Sequence, residues 1–307
     1  MVRQYAGAVC YVDILGIGAL TQKQVPLTEL DYGARGLVSP TRRNEQVFCA
    51  HLLTDFRKCL REVRDNFSSV NLAQLSDCAF VWSKNVLDVL NACRSLMWSA
   101  TRNGLLCRGG LAFGEIVEPN KIDHSIGHFV LGEAATKAVG IETAGKGCRV
   151  FSDVDLPRHM SGMCRCRNEP FEGLKNPLNT LVTDEFRWYL FPANIKTNDP
   201  HSPNDKDGAN AIMELVSRLR YDPRFNWNTS TEDGRLHIAS SIESISSMAK
   251  GFVKELDYKW TSESLLAIPE NTPRSEAIVK RFLTRYKNEI AEVIDGRRSK
   301  RPVKRRK

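Results

Sequence analysis

The sequence lacks any apolar run that approaches the roughly 18 residues needed to cross a membrane. It lacks a recognisable secretory signal, because the first residues lead directly into a strand-like apolar segment at residues 8–15. Its nine cysteines are scattered and odd in number, and this absence of a disulfide framework favours a reducing compartment. We therefore expect a cytoplasmic globular protein without a transmembrane segment.

The body of the chain also lacks net charge. The eight lysines and arginines of residues 297–307 account for the whole net charge of +8. A basic run of this kind is either a solvated tail or a contact with nucleic acid or a membrane surface. A polynucleotide track needs a charged groove, so the neutral body argues against nucleic acid as a partner of the folded part.

Two aspartates lie within or directly beside apolar segments that are predicted to be strands. Asp13 lies in the run at residues 8–16, and Asp77 lies between two short strand-like runs at residues 70–75 and 78–82. A buried carboxylate is costly unless it is paired or binds a cation. Hard cations are typically held by one or two carboxylates together with a substrate's phosphates. Phosphoryl chemistry is therefore the first hypothesis, and satisfied buried carboxylates are the alternative.

The predicted elements begin in the order β-α-β-β-α-β, which is typical of an α+β, ferredoxin-like fold, and further helix and strand follow. In this fold the first strand and the central hairpin are adjacent, so Asp13 and Asp77 become neighbours. The expected strands are residues 8–15, 70–75, 78–82, 105–117, 127–131 and 148–151. The expected helices are residues 47–67, 86–102 and 133–143. Residues 21–45 are expected to form a loop or insertion. Composition then changes, which predicts a domain over 1–195, a linker over 196–208, a helical extension over 209–295 and a basic tail over 296–307.

Four motifs in this order resemble the class III nucleotidyl cyclases, the adenylate and guanylate cyclase family. They are Tyr11-Val12-Asp13-Ile14-Leu15-Gly16, Leu75-Ser76-Asp77-Cys78-Ala79-Phe80, Arg108-Gly109-Gly110-Leu111-Ala112-Phe113-Gly114-Glu115 and Phe129-Val130-Leu131-Gly132-Glu133-Ala134-Ala135. The resemblance covers roughly residues 6–152. It implies that the domain over residues 1–195 is a nucleotidyl cyclase domain.

The departures from the family pattern concern the base and the triphosphate. Ala73 and Phe129 stand where purine cyclases carry polar base contacts, and Thr136 and Gly140 stand where they carry Asn and Arg. The pattern is similar to the bacterial Pycsar cyclases, which make cyclic UMP or cyclic CMP during phage infection. The resemblance thus implies a uridylate cyclase in antiphage defence that acts through a cyclic-nucleotide-responsive effector. A cytidylate cyclase and a catalytically weak nucleotide-binding module remain open.

The resemblance also implies roles for individual residues. Asp13 and Asp77 would be the catalytic residues and hold two Mn²⁺ or Mg²⁺ ions, with the Ile14 carbonyl completing one shell. Further substrate-binding positions would be Leu15, Gly16, Ile17, Gly18, Ala73, Arg108, Phe129, Thr136 and Lys137. Phe129 either stacks on a base or belongs to the core. Arg108 either donates to a pyrimidine carbonyl or is a surface arginine at the end of its strand. Lys137 and Arg149 either supply the positive charge missing at Thr136 and Gly140 or are solvated surface cations. A homodimer with sites at its interface is expected.

Overall fold

The computed structural model describes residues 2–24, 26–121, 127–163, 171–173 and 183–188, together with residues 236, 237, 240 and 241. The strands are β1 (Val2–Ile14), β2 (Asn71–Leu75), β3 (Cys78–Ser83), β4 (Cys107–Pro119), β5 (Val150–Asp153), β6 (Phe171–Gly173) and β7 (Thr183–Phe186). The helices are α1 (Ile17–Thr21), α2 (Glu29–Ala34), α3 (Glu45–Asn66), α4 (Val86–Arg102), α5 (Glu133–Glu142) and α6 (Asp155–Met163), with a 3₁₀ turn at Pro40–Arg42.

The strands form one seven-stranded sheet in the order β2-β3-β1-β4-β5-β7-β6. The first four strands pair antiparallel, and β5 joins β4 in parallel. Together with α3 and α4, these four strands have the β-α-β-β-α-β order and strand arrangement of a ferredoxin-like unit, which confirms the predicted α+β fold class. The predicted linker and tail lie outside the described residues, as does the helical extension apart from residues 236, 237, 240 and 241.

Helices α3 and α4 begin at asparagine caps and cover one face of the sheet. The Asn44 side chain accepts a hydrogen bond from the Val47 amide at 2.9 Å, and Asn85 accepts one from the Leu87 amide at 3.2 Å. Their apolar stripes pack on the main core, which includes Val12 of β1. Within the described part of the chain, no helix combines the length and apolarity that crossing a bilayer requires.

Helix α5 covers only part of the opposite face. Its small residues allow a very close approach to β4, since a Cβ added at Gly110 would stand 2.0 Å from the Ala138 carbonyl oxygen. Over β2, β3 and β1 this face carries Ala73, Phe80 and Tyr11, whose side chains stay partly exposed. We call the surface formed by Ala73, Phe80 and Tyr11 the open half-face.

Two predicted elements were wrong. The segment 21–45 is not only loop, because α2 begins there after its cap residue Thr28, whose hydroxyl and amide both bond the Asp31 carboxylate at 2.6 Å. Residues 127–131 do not form a strand. Gly127 and Gly132 have φ of +91° and +115°, which takes the backbone out of strand geometry at both ends, and a single bridge joins Leu131 to Val117.

Candidate functional site

The two predicted metal-site aspartates meet at one edge of the sheet. Asp13 lies near the end of β1, directly opposite Cys78 of β3, and Asp77 precedes Cys78 in the turn of the hairpin. The Ile14 amide donates to the Asp77 carbonyl oxygen at 3.1 Å, which fastens the turn to β1. Ser76 adopts the left-handed backbone region at φ +56°, so the hairpin turns tightly. The prediction that the element order makes these carboxylates neighbours is confirmed.

The electrostatics of this edge favour a cation. Burial, together with the negative charges of Asp77 and Glu142, raises the pKa of Asp13 to about 7 from its ordinary 3.8. The Arg108 charge and a hydrogen bond from the Ile14 amide oppose this rise in pKa without cancelling it. Among the charged groups that shift the Asp13 pKa, two carboxylates thus stand against one cation, Arg108. Carboxylate oxygens at such a position are suitable ligands for Mg²⁺ or Mn²⁺.

Arg108 lies at this same edge. It stands opposite Asp13 across the β1–β4 pair. Its Nε donates to the Glu142 carboxylate, and its Nη1 donates to the Gly145 carbonyl oxygen at 3.2 Å. The structure thus places Arg108 between Asp13 and the end of α5, with its guanidinium held by an ion pair. Sequence reasoning did not assign the partner role of Glu142, whose signal is an acid at the end of a small-residue helix.

We call the sheet edge that carries Asp13 and Asp77 the carboxylate edge. The turn after Asp13 connects it to α1. The Leu15 amide donates to the Leu106 carbonyl oxygen at 2.8 Å, and Gly16 takes φ +92° to redirect the chain into the helix. Ile17 is buried in the core, and Gly18 is exposed. The structure therefore brings residues 15–18 to the same edge as Asp13.

The remaining predicted substrate positions lie elsewhere. Ala73 pairs with Phe80 on the open half-face, beside the Tyr11 ring, whose centroid is 5.0 Å from that of Phe80. Phe129 is 47% exposed, so it is not a core residue. Thr136 is exposed on α5, and its hydroxyl donates to its own helix at Gly132.

The two cations suggested as replacements for the missing charge have acidic partners. The Lys137 ammonium is 2.8 Å from the Glu133 carboxylate and 3.7 Å from that of Asp155, and its pKa is raised mainly by the hydrogen bond to Glu133. The Arg149 guanidinium is paired with the Glu185 carboxylate. Both ion pairs lie within the described chain.

A second polar cluster, which sequence reasoning missed, surrounds the fully buried carboxylate of Glu118 on β4. Its hydrogen-bond donors are the Trp82 indole at 2.7 Å, Arg3 Nε at 2.7 Å, the Tyr5 hydroxyl at 2.6 Å and the Asn71 amide at 3.2 Å. Burial and then Glu118 raise the pKa of Tyr5. The donors satisfy this carboxylate, so it acts as a structural centre that ties four strands together.

The carboxylate edge is a partial ligand set. Among the described residues, no group of three or more His, Cys, Asp or Glu side chains has the geometry of a complete metal site. Two carboxylates are nevertheless enough where the substrate supplies further oxygens, as in nucleotide sites. The residues at this edge therefore fit cations that bind together with a phosphorylated substrate.

No protein-family model matches this chain, and no curated protein matches its sequence. Solved structures do match. The catalytic core of a rhodopsin-guanylyl cyclase with converted specificity, in complex with ATPalphaS, is 12% identical, covers 60% of this chain and 97% of its own, and has a TM-score of 0.42. The adenylyl cyclase CyaB from P. aeruginosa is 12% identical, with 60% and 95% covered and a TM-score of 0.41. The guanylyl cyclase Cya2 is 13% identical, with 64% and 98% covered and a TM-score of 0.41.

Proposed function

We propose that this chain is a nucleotidyl cyclase that converts a nucleoside triphosphate to a 3′,5′-cyclic nucleotide and pyrophosphate. The observation that carries the proposal is the meeting of Asp13 and Asp77 at one sheet edge, where burial and then the charges of Asp77 and Glu142 raise the Asp13 pKa to about 7. A cation bound between two such carboxylates offsets their repulsion, so the pair is suited to bind cations. The four motifs and the ferredoxin-like order support the same reaction class.

The reaction forms a bond between the ribose 3′-oxygen and the α-phosphorus and breaks the bond from that phosphorus to the pyrophosphate oxygen. The 3′-hydroxyl proton leaves to solvent. Asp13 and Asp77 would hold two Mn²⁺ or Mg²⁺ ions, with the Ile14 carbonyl as a further ligand. When bound, such ions neutralise the triphosphate and favour ionisation of the attacking hydroxyl. Backbone amides of residues 15–18 would face the β- and γ-phosphates, and the Arg108 guanidinium, paired with Glu142, would place a positive charge opposite Asp13.

We further propose that the base is a pyrimidine, with UTP as substrate and CTP as the alternative. The support is chemical: Ala73 offers no polar group, and Phe129 offers an exposed ring that can stack on a base but cannot select a purine by hydrogen bonding. Two copies would meet through their open half-faces and build sites between them. The cyclic nucleotide would then act on a separate effector in antiphage defence.

Incubation with Mn²⁺ and each of ATP, GTP, CTP and UTP in turn, with products identified by mass, tests the substrate. We expect cyclic UMP as the main product. Cyclic CMP as the main product would replace UTP by CTP, and cyclic AMP or cyclic GMP would refute the pyrimidine proposal. Ala73→Lys is the matched variant, because restoring a polar base contact should shift the preference towards a purine.

A second candidate function has its own support. Thr136 carries no amide, Gly140 carries no guanidinium, and Lys137 and Arg149 are engaged with acids. These facts favour a module that binds nucleotide without turning it over. Calorimetric titration with UTP and Mn²⁺, run beside the product assay, separates the two: saturable binding with no cyclic product would identify the binding module.

A further inference from the structure

A short segment around residue 240 contacts the loop that follows α5. His237 Nδ1 accepts a hydrogen bond from the Gly147 amide at 3.2 Å, and Ser241 Oγ accepts one from the Cys148 amide at 3.2 Å. The Ser241 hydroxyl in turn donates to the His237 carbonyl oxygen at 2.7 Å. We call His237, Ser240 and Ser241 the latch. Its two acceptors satisfy consecutive backbone donors about 90 residues away in sequence.

The loop has a shape that admits the latch. Gly147 adopts φ +89°, and a Cβ at this position would stand 2.7 Å from both the Ser240 Cβ and the Ser241 amide nitrogen. Ser241 is 2% exposed, so water does not compete for its hydroxyl. A close backbone approach and two hydrogen bonds in a dry contact indicate a specific interaction between the two segments.

The other side of the same loop contacts the carboxylate edge. The Gly145 carbonyl oxygen accepts from Arg108 Nη1 at 3.2 Å. The Arg149 carbonyl oxygen accepts from the Gly109 amide at 2.9 Å, which joins the loop to β4 immediately after Arg108. Arg108 stands opposite Asp13. The loop over residues 143–149 therefore lies between the latch and the guanidinium that faces the site.

We propose that His237 and Ser241 are positioning residues that hold this loop so that the Gly145 carbonyl keeps Arg108 beside Asp13. The Glu142 carboxylate fixes one nitrogen of the guanidinium, and the loop carbonyl fixes a second. With the loop released, the guanidinium keeps the ion pair but loses the bond that sets its rotation. The kinetic consequence of this release rests on the proposed cyclase function, whereas its structural consequence does not.

The test compares His237→Ala with His237→Asn in the full chain. An asparagine Oδ1 can accept from the Gly147 amide much as Nδ1 does, whereas alanine cannot. Amide hydrogen exchange read residue by residue should show faster exchange at Gly147 and Gly109 in His237→Ala only. With UTP and Mn²⁺, His237→Ala should lower kcat roughly tenfold with little change in KM, because Arg108 is misplaced. His237→Asn should stay within about twofold of the wild type in kcat.

Two other outcomes decide against the proposal. Unchanged exchange at Gly147 in His237→Ala would show that the latch does not hold the loop. If exchange at Gly147 becomes faster while exchange at Gly109 and kcat stay unchanged, the latch holds the loop but does not position Arg108. Should the wild type form no cyclic product, the proposed function fails, and exchange at Gly109 alone decides whether the latch positions β4. Ser241→Ala, with Ser241→Thr as its control, repeats the test at the second hydrogen bond.

Discussion

Replacing Asp13 by asparagine should stabilise the folded protein while it destroys the proposed activity. The native carboxylate lies near the Asp77 and Glu142 carboxylates in a partly buried position, and its pKa rises from 3.8 to about 7. The asparagine side chain has nearly the same shape without the charge, and its amide oxygen can still accept from the Ile14 amide. In buffer with EDTA, no cation offsets the repulsion in the wild type.

The magnitude follows from the pKa shift. One unit corresponds to about 1.36 kcal/mol, so about three units set a ceiling near 4 kcal/mol. Because Asp13 is only partly buried and water screens part of the repulsion, we expect a gain of about 1–3 kcal/mol. The pKa is higher in the folded state, so the cost of the native carboxylate is full above about pH 7. The cost then shrinks as the pH falls and disappears below about pH 4.

Chemical denaturation of both proteins at pH 8 and at pH 5, with EDTA, measures this effect. Asp13→Asn should have the larger free energy of unfolding at pH 8, and the difference should be smaller at pH 5. Asp65→Asn is the control, because Asp65 is exposed beside Arg64, and we expect a change within about 0.5 kcal/mol. No stabilisation at pH 8, or a gain that does not depend on pH, would refute the reasoning.

Three further predictions concern packing, the second polar cluster and the tail. Gly110→Ala should lower the free energy of unfolding by about 2 kcal/mol or more, because its Cβ would meet the α5 backbone. Gly140→Ala, on the open side of α5, should stabilise the protein slightly. Equal effects of the two variants would contradict the close packing of α5 on β4. Glu118→Ala should cost roughly 3–5 kcal/mol, because the buried Trp82 indole and three partly buried donors lose their acceptor. A cost below about 1 kcal/mol would show that the cluster is dispensable. Truncation after Gly296 should leave cyclic-nucleotide formation unchanged, and a large loss would favour a nucleic-acid role for the tail.

Local patterns sufficed to predict the central hairpin and the two long helices. Their periodicities are strong, and the structure adds the asparagine caps at Asn44 and Asn85, which the prediction did not use. The element order then placed Asp13 beside Asp77. Helix α2 was missed because its segment is polar and rich in glycine and proline, which is typical of a loop, and the capping box at Thr28 is a short local signal.

Contacts between distant residues could not be predicted in the same way. The Arg108 guanidinium meets the Glu142 carboxylate across 34 positions, and the Glu118 carboxylate gathers donors from three other strands. The His237 contact with Gly147 spans 90 positions. Each depends on how twisted strands and short loops bring side chains together, which neither hydrophobic period nor motif spacing specifies.

The most direct test of the central claim follows UTP and Mn²⁺ in parallel reactions with the wild type and Asp77→Asn. Nucleotide products are identified by mass, and the amount of released pyrophosphate is measured. The proposed roles of Asp13 and Asp77 predict cyclic UMP and pyrophosphate in equal amounts from the wild type. They predict neither product from Asp77→Asn when that variant is folded to the same extent as the wild type. Equal product from both proteins, or release of pyrophosphate with linear UMP, would contradict a cyclisation that depends on the paired carboxylates.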